Sequence, residues 1–128
     1  MSNKKQAMKN CVCSGKALDR MLRPAVLTVL HDHPEMLHGY AIEKALQVFA
    51  FFQEKPPDYT GLYRLLKTMD TEGLLDSIED SSHPGPAKRL YGLTDRGRQC
   101  LAQWFDSLRR YQDMLDDLLD HIGPAINK

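Results

Sequence analysis

Three pairs of residues have types and spacings that could do chemistry. Cys11 and Cys13 flank a single valine in "CVC". An intrachain disulfide between them would close a tight, strained ring. As thiolates they suit a soft metal, but one Cys-x-Cys supplies only two ligands, so a dimer, or His31, His33 or His38, would have to complete a site. Arg64 and Lys67 stand three residues apart in "LYRLLK", a spacing that puts both cations on one side of a helix. Lys88 and Arg89 are adjacent and lead directly into the apolar and aromatic run Leu90-Tyr91-Gly92-Leu93. These two pairs suit the neutralisation of phosphates. Covalent chemistry finds no comparable support: there is no Ser-His-Asp spacing, no phosphate-cradling glycine loop and no dense carboxylate pair. Nothing marks an oriented base for a cysteine nucleophile, and an enzyme is not expected.

The elements that must hold these residues follow from periodicity. From Ala17 the apolar positions Leu18, Leu22, Ala25, Val26, Val29 and Leu30 recur at helical steps, with Pro24 marking a kink or a fresh helix start. "HDHPEMLHG" breaks that helix, and "YAIEKALQVFAFF" resumes helical spacing through Ile42, Ala45, Leu46 and Phe49. Pro56-Pro57 makes a loop. A third helix follows, burying Leu62, Leu65, Leu66 and Met69 and presenting Tyr63, Arg64, Lys67 and Thr68 elsewhere, with Gly73 closing it. "LLDSIED" and "KRLYGLT" read as two short strands joined by "SSHPGPA", a β-hairpin with basic residues near its tip. Thr94 is the expected N-cap of a last, long helix, with Asp95 at that helix's positive end.

That last helix repeats apolar residues at alternating steps of three and four: Leu101, Trp104, Leu108, Tyr111, Leu115, Leu118 and Ile122. A period of 3.5 sustained over three heptads calls for a partner helix, and Phe105, Met114 and Leu119 widen the stripe. Trp104 suits either core packing or ligand stacking at such an interface. Val48 to Phe52 suits either interhelical packing or an effector pocket.

The chain is long enough for one core. Lys plus Arg and Asp plus Glu both number 17, so net charge is zero, which excludes a simple polycation. The charge is unevenly spread, however. Residues 1–23 hold six cations against Asp19 alone, while the tail from Asp106 holds Asp106, Asp113, Asp116, Asp117 and Asp120 against Arg109, Arg110 and Lys128. One surface is therefore suited to a polyanion and another is not. No apolar run approaches the ~20 residues of a membrane span, no secretory segment follows the basic start, and three cysteines do not frame a secreted disulfide domain. The expected location is the cytoplasm, with no membrane partner.

The resulting order is helix, helix, helix, hairpin, long helix. It defines a mainly α fold with a small β-hairpin: a winged helix-turn-helix with an added C-terminal dimerisation helix. In that arrangement the third helix fits a major groove, and the wing carrying Lys88 and Arg89 lies along the phosphates. The expected division is a basic arm with Cys-x-Cys at 1–14, the DNA-binding unit at 15–94 and the dimerisation helix at 95–128.

Three consecutive blocks, "LHGYAIEKAL", "GLYRLLKTMDTEGLL" and "KRLYGLTDRGRQCL", resemble the PadR family of bacterial transcriptional regulators over roughly residues 22–104. The single short tail helix resembles the smaller subgroup of that family. The resemblance implies a dimeric winged-helix DNA binder, often a repressor, dimerising through its C-terminal helix. It puts Tyr63 and Arg64 on the recognition helix and Tyr91 on the aromatic position of the wing strand. Gly61 departs from it, standing where a better helix former is common, and so does Leu90, which replaces a usual aromatic. Some similar chains begin with Cys-x-Cys-Ser-Gly, as "CVCSG" does here.

The expected function is therefore a sequence-specific, homodimeric regulator on a near-palindromic operator, without a required cofactor and open to a small-molecule effector. The alternatives are an interaction module that keeps the scaffold without binding DNA, and a regulator responsive to a thiophilic metal or redox state through Cys11 and Cys13. The rival to the latter is a plain tail with two reduced thiols.

Overall fold

The computed structural model describes residues 21–82, 84–86 and 88–127. The basic arm with Cys11 and Cys13, the helical pattern between Ala17 and Arg20, and His83 lie outside the described residues. Helix α1 spans Leu22–Asp32, with Pro24 in its first turn. An N–H is surplus there, so the proline starts the helix without kinking it. Pro24, Ala25, Val26, Leu27, Val29 and Leu30 are buried, which makes α1 the central element of the core.

The segment after α1 differs from the helix-breaking loop expected there. Leu37–His38 forms a short strand, β1, which pairs antiparallel with a later strand through Leu37–Tyr91 and His38–Leu90. The sheet is thus three-stranded where a two-stranded hairpin was expected. A two-residue strand leaves no period to read, and its partner lies more than fifty residues away.

Residues 39–54 also depart from the single helix that their spacing predicts. Helix α2 covers Gly39–Ala45, a 3-10 turn covers Leu46–Val48, and helix α3 covers Ala50–Glu54. Between them Phe49 is extended, at φ −89° and ψ 122°. The carbonyls freed by the break are satisfied: Leu46 O accepts from Phe49 N at 3.1 Å, and Gln47 O from Gln53 Nε2 at 2.6 Å. The bend gathers Phe49, Phe51 and Phe52 into one aromatic cluster, with the Phe51 and Phe52 rings 4.4 Å apart.

Helix α4 spans Tyr59–Thr71 and buries Leu62, Leu66 and Met69 completely. Each such side chain contributes roughly 1.5–3 kcal/mol. Asp58 caps its start, accepting from Gly61 N at 3.1 Å. Its end is a Schellman turn: Gly73 N donates to Asp70 O and Leu74 N to Met69 O, both at 3.0 Å. Gly73 takes φ +80°, the left-handed conformation that such a cap requires.

Strands β2 (Leu75–Asp80) and β3 (Lys88–Leu93) pair antiparallel over their full length, giving the sheet order β1-β3-β2. Helix α5 then runs from Asp95 to Ile126. Its first turns return to the core through Cys100, Leu101 and Trp104. Beyond Trp104 it leaves the body of the fold, and Leu108, Tyr111, Leu115, Leu118 and Ile122 are exposed. The seven-residue stripe is therefore divided: its first two members pack on the chain's own core, and its last five have no cover among the described residues.

Candidate nucleic-acid interface

Burying Leu62, Leu66 and Met69 fixes how α4 sits and therefore what it shows. Thr60, Arg64, Lys67, Thr68 and Thr71 are all exposed, at spacings that set them on one helical face. Two threonine hydroxyls on this face are turned onto the helix, donating to Arg64 O at 3.0 Å and Lys67 O at 3.1 Å. Arg64 and Lys67 thereby stand as cations beside two threonines whose hydroxyls are satisfied. Thr60 and Thr71 were not singled out from sequence; their spacing from Arg64 and Lys67 was the available signal.

Tyr63 occupies a different side. Its ring lies against Gly39, the first residue of α2, so closely that a Cβ there would fall 2.6 Å from the ring carbons. Tyr59 lies against its other side, with ring centroids 4.4 Å apart. Burial first, and then the hydrogen bond with Tyr59, pushes the Tyr63 phenol well above its ordinary value. Tyr63 thus packs α4 onto α2, and glycine at position 39 makes that approach possible. The other end of α4 is tied to α1, where Arg23 donates to both Glu72 carboxylate oxygens at 2.7 and 3.3 Å. The Arg23 hydrogen bond holds the Glu72 carboxyl below its usual range.

The wing carries its charges on opposite sides. Neighbours in a strand alternate faces. Arg89 shares the inner face with Ser77 and Tyr91, and Lys88 the outer face with Leu90. The Arg89 guanidinium donates to Ser77 Oγ at 3.1 Å, and Ser77 Oγ donates to Asp70 Oδ2 at 2.5 Å. Asp70 lies in the last turns of α4, so this chain of bonds joins the wing to that helix. Neither Asp70 nor Ser77 was singled out from sequence, because the bond depends on a tertiary juxtaposition. Across the ladder, Arg89 faces Glu79 and Lys88 faces Asp80. The Asp80 carboxylate is drawn inward by His38 Nε2 at 3.1 Å and accepts from Ser82 N and Oγ at 3.1 and 2.6 Å.

Tyr91 corrects an expectation. The resemblance makes it a wing residue at the DNA, yet it is only 6 % exposed and belongs to the core. β3 is the central strand of the sheet, and from Tyr91 onward its inner face packs on the core. Burial pushes the phenol upward, with Asp70 adding to the rise and Arg89 opposing it. Tyr91 anchors the strand that carries Arg89.

One junction couples these parts to α5. Thr94 Oγ1 lies 2.7 Å from Gly73 O and 2.9 Å from Leu74 O as donor, and accepts from Gly97 N at 3.0 Å. The end of α4, the start of β2 and the first turn of α5 thus meet on one hydroxyl. Gly97 is packed beneath it; a Cβ there would overlap the Leu74 carbonyl oxygen and Leu93 Cδ1.

An apolar cleft of about 860 Å³ opens beside the start of α4, between Met21 and Leu22, Phe51 and Phe52, and Pro56 to Asp58. Phe51 and Phe52 thus both pack together and line a cavity. Among the described residues no group of three or more His, Cys, Asp or Glu side chains could hold a metal ion. No helix among them is long and apolar enough to cross a membrane.

These features define a winged helix-turn-helix protein with a long C-terminal helix. Residues 26–103 match the transcriptional regulator PadR-like family, and the chain belongs to that family of transcriptional regulators. It is similar to a PadR family transcriptional regulator from Eggerthella lenta, at 26 % identity and a TM-score of 0.65, over 84 % of this chain and 92 % of that one. It is also similar to Bacillus subtilis PadR, solved in complex with operator DNA, at 28 % identity and a TM-score of 0.57. That likeness covers 67 % of this chain, which spans 47 % of the Bacillus protein. No curated protein matches the sequence.

Proposed function

We propose that the chain is a homodimeric, sequence-specific DNA-binding regulator that represses by occupying a near-palindromic operator. The observation that carries this reading is the exposed face of α4. Thr60, Arg64, Lys67, Thr68 and Thr71 form a strip with no acidic side chain in it, on a helix of the width that a major groove admits. Arg64 has the geometry to read a guanine edge, and Lys67 suits a phosphate. Arg89 and Lys88 would meet the backbone on either side of the wing. The operator complex of the similar Bacillus subtilis PadR supports the same use of this fold.

Pairing through the exposed half of α5 supplies the second head that a palindromic site needs. Charges on an apolar seam cannot be solvated, so Leu108→Glu with Leu115→Glu would leave a monomer. The apolar cleft supports a small-molecule effector. Asp58, which caps α4, forms part of its wall, so an occupant would bear directly on the start of that helix. The Thr94 junction offers the complementary route, from a change in the angle of α5 to the end of α4.

Footprinting on the DNA upstream of the chain's own coding region tests the proposal. Two protected half-sites with centres about one helical turn apart, ~34–36 Å, are expected. Absence of protection at low salt would favour an interaction module instead. The acids opposite Arg89 and Lys88 on the wing are the observation that gives this rival its weight.

A further inference from the structure

Residues 1–20 join the described chain at Met21, and Met21 and Leu22 form part of the wall of the apolar cleft beside α4. The apolar pattern does not begin there. Ala17 and Leu18 stand four residues before Met21 and Leu22, so one helical stripe leads from the arm into the cleft wall. Phe51, in another part of that wall, remains 50 % exposed. At about 860 Å³ the cleft has the size of a binding site and not of a packing defect. Among the described residues its wall holds one cation and one carboxylate, Lys55 and Asp58, so apolar contact and not charge selects its occupant.

The arm carries one further apolar run. Cys11, Val12 and Cys13 stand between Lys9-Asn10 and Ser14-Gly15-Lys16. Serine and glycine suit a turn, and a turn at Ser14-Gly15 would bring this run back over the cleft. In an extended segment Cys11 and Cys13 point the same way. A reduced cysteine packs as a small hydrophobe, which gives the Cys-x-Cys a use that needs no further metal ligands.

We propose that the cleft is the docking site of the chain's own residues 11–18, with Leu18, Cys13 and Cys11 seated against Phe51 and Leu65. A tethered segment acts at an effective concentration on the order of millimolar, so weak apolar contact suffices to hold it. The proposal does not depend on DNA binding. It goes beyond the effector reading by naming what an effector must displace. Asp58 caps α4 from the same wall, so displacement would be felt at the start of that helix.

Two measurements on the full chain with Cys100→Ser test it. In the first, Cys11→Ala and Lys55→Cys leave Cys13 and the thiol introduced at position 55 as the only pair, in a glutathione redox buffer, with the apolar wall intact. An intrachain disulfide should form with an effective concentration at least tenfold above that of the same chain carrying Cys11→Asp and Leu18→Asp, which has the same tether. Equal values would mean that the tether alone brings the thiols together, and a disulfide between chains that the cleft takes another copy's arm. Either result overturns the proposal. In the second, the apolar dye anilinonaphthalene sulfonate is titrated into the chain and into its Cys11→Asp/Leu18→Asp variant. The variant should bind the dye at least tenfold more tightly, and adding Gly61→Trp, which fills the cleft, should remove that gain. Equal dye affinity, or a gain that survives Gly61→Trp, would contradict the proposal.

Discussion

Ser77 Oγ donates to Asp70 Oδ2 at 2.5 Å while accepting from Arg89, so one hydroxyl couples the wing to the last turns of α4. The bond fixes two things that sequence treats separately, the attitude of the wing and the direction of its arginine. Ser77→Ala should destabilise the fold by about 1 kcal/mol in urea unfolding. It should also weaken binding to any DNA while leaving the salt dependence of affinity nearly unchanged, because the charge remains and only its placement changes.

Removing the charge itself should look different. The slope of log affinity against log salt falls by about one unit for every phosphate that the protein no longer neutralises. Arg89→Ala and Lys88→Ala should each reduce it by about one, and the double variant by about two, with sequence preference unchanged. If the double variant keeps the wild-type slope, the wing is not at the backbone.

Arg64→Ala should behave in the opposite way, relaxing preference at one position in each half-site by about 1–3 kcal/mol. Binding measured across single-base variants of the operator reads this directly. Equal weakening on every variant would make Arg64 a phosphate contact.

Two glycines should respond with opposite signs. At Gly61 a Cβ would lie 3.5 Å from Asp58 Oδ2, an ordinary contact, so Gly61→Ala should stabilise the fold by about 0.5–1 kcal/mol. At Gly97 the Cβ would overlap the Leu74 carbonyl and Leu93, so Gly97→Ala should cost about 1–3 kcal/mol. Thermal unfolding of both variants checks the pair.

The parts legible in the sequence are those decided locally. Gly73 as a helix terminator, Thr94 as an N-cap and the strands around "SSHPGPA" all depend on neighbours a few residues away, and each takes the form its neighbours dictate. What escaped leaves no local period to read. Ile42, Ala45, Leu46 and Phe49 keep a helical period straight through a break at Phe49, beside which Phe49, Phe51 and Phe52 gather into one cluster. Tyr91 is buried among core side chains that are distant in sequence, and Leu37 pairs with its strand from more than fifty residues away. Leu101 and Trp104 share a heptad stripe with Leu108, and only the packing of α1 and the sheet against the first turns of α5 separates them from it.

The central claim is that α4 distinguishes DNA sequences. Fluorescence anisotropy at one fixed salt concentration tests it most directly, comparing the DNA upstream of the chain's own coding region with a scrambled duplex of equal length and composition. The reading of α4 and the wing requires affinity for the upstream DNA at least ~10³-fold tighter, the lower bound for specific binders. Equal affinity for the two duplexes, or no binding to either at low salt, would contradict it.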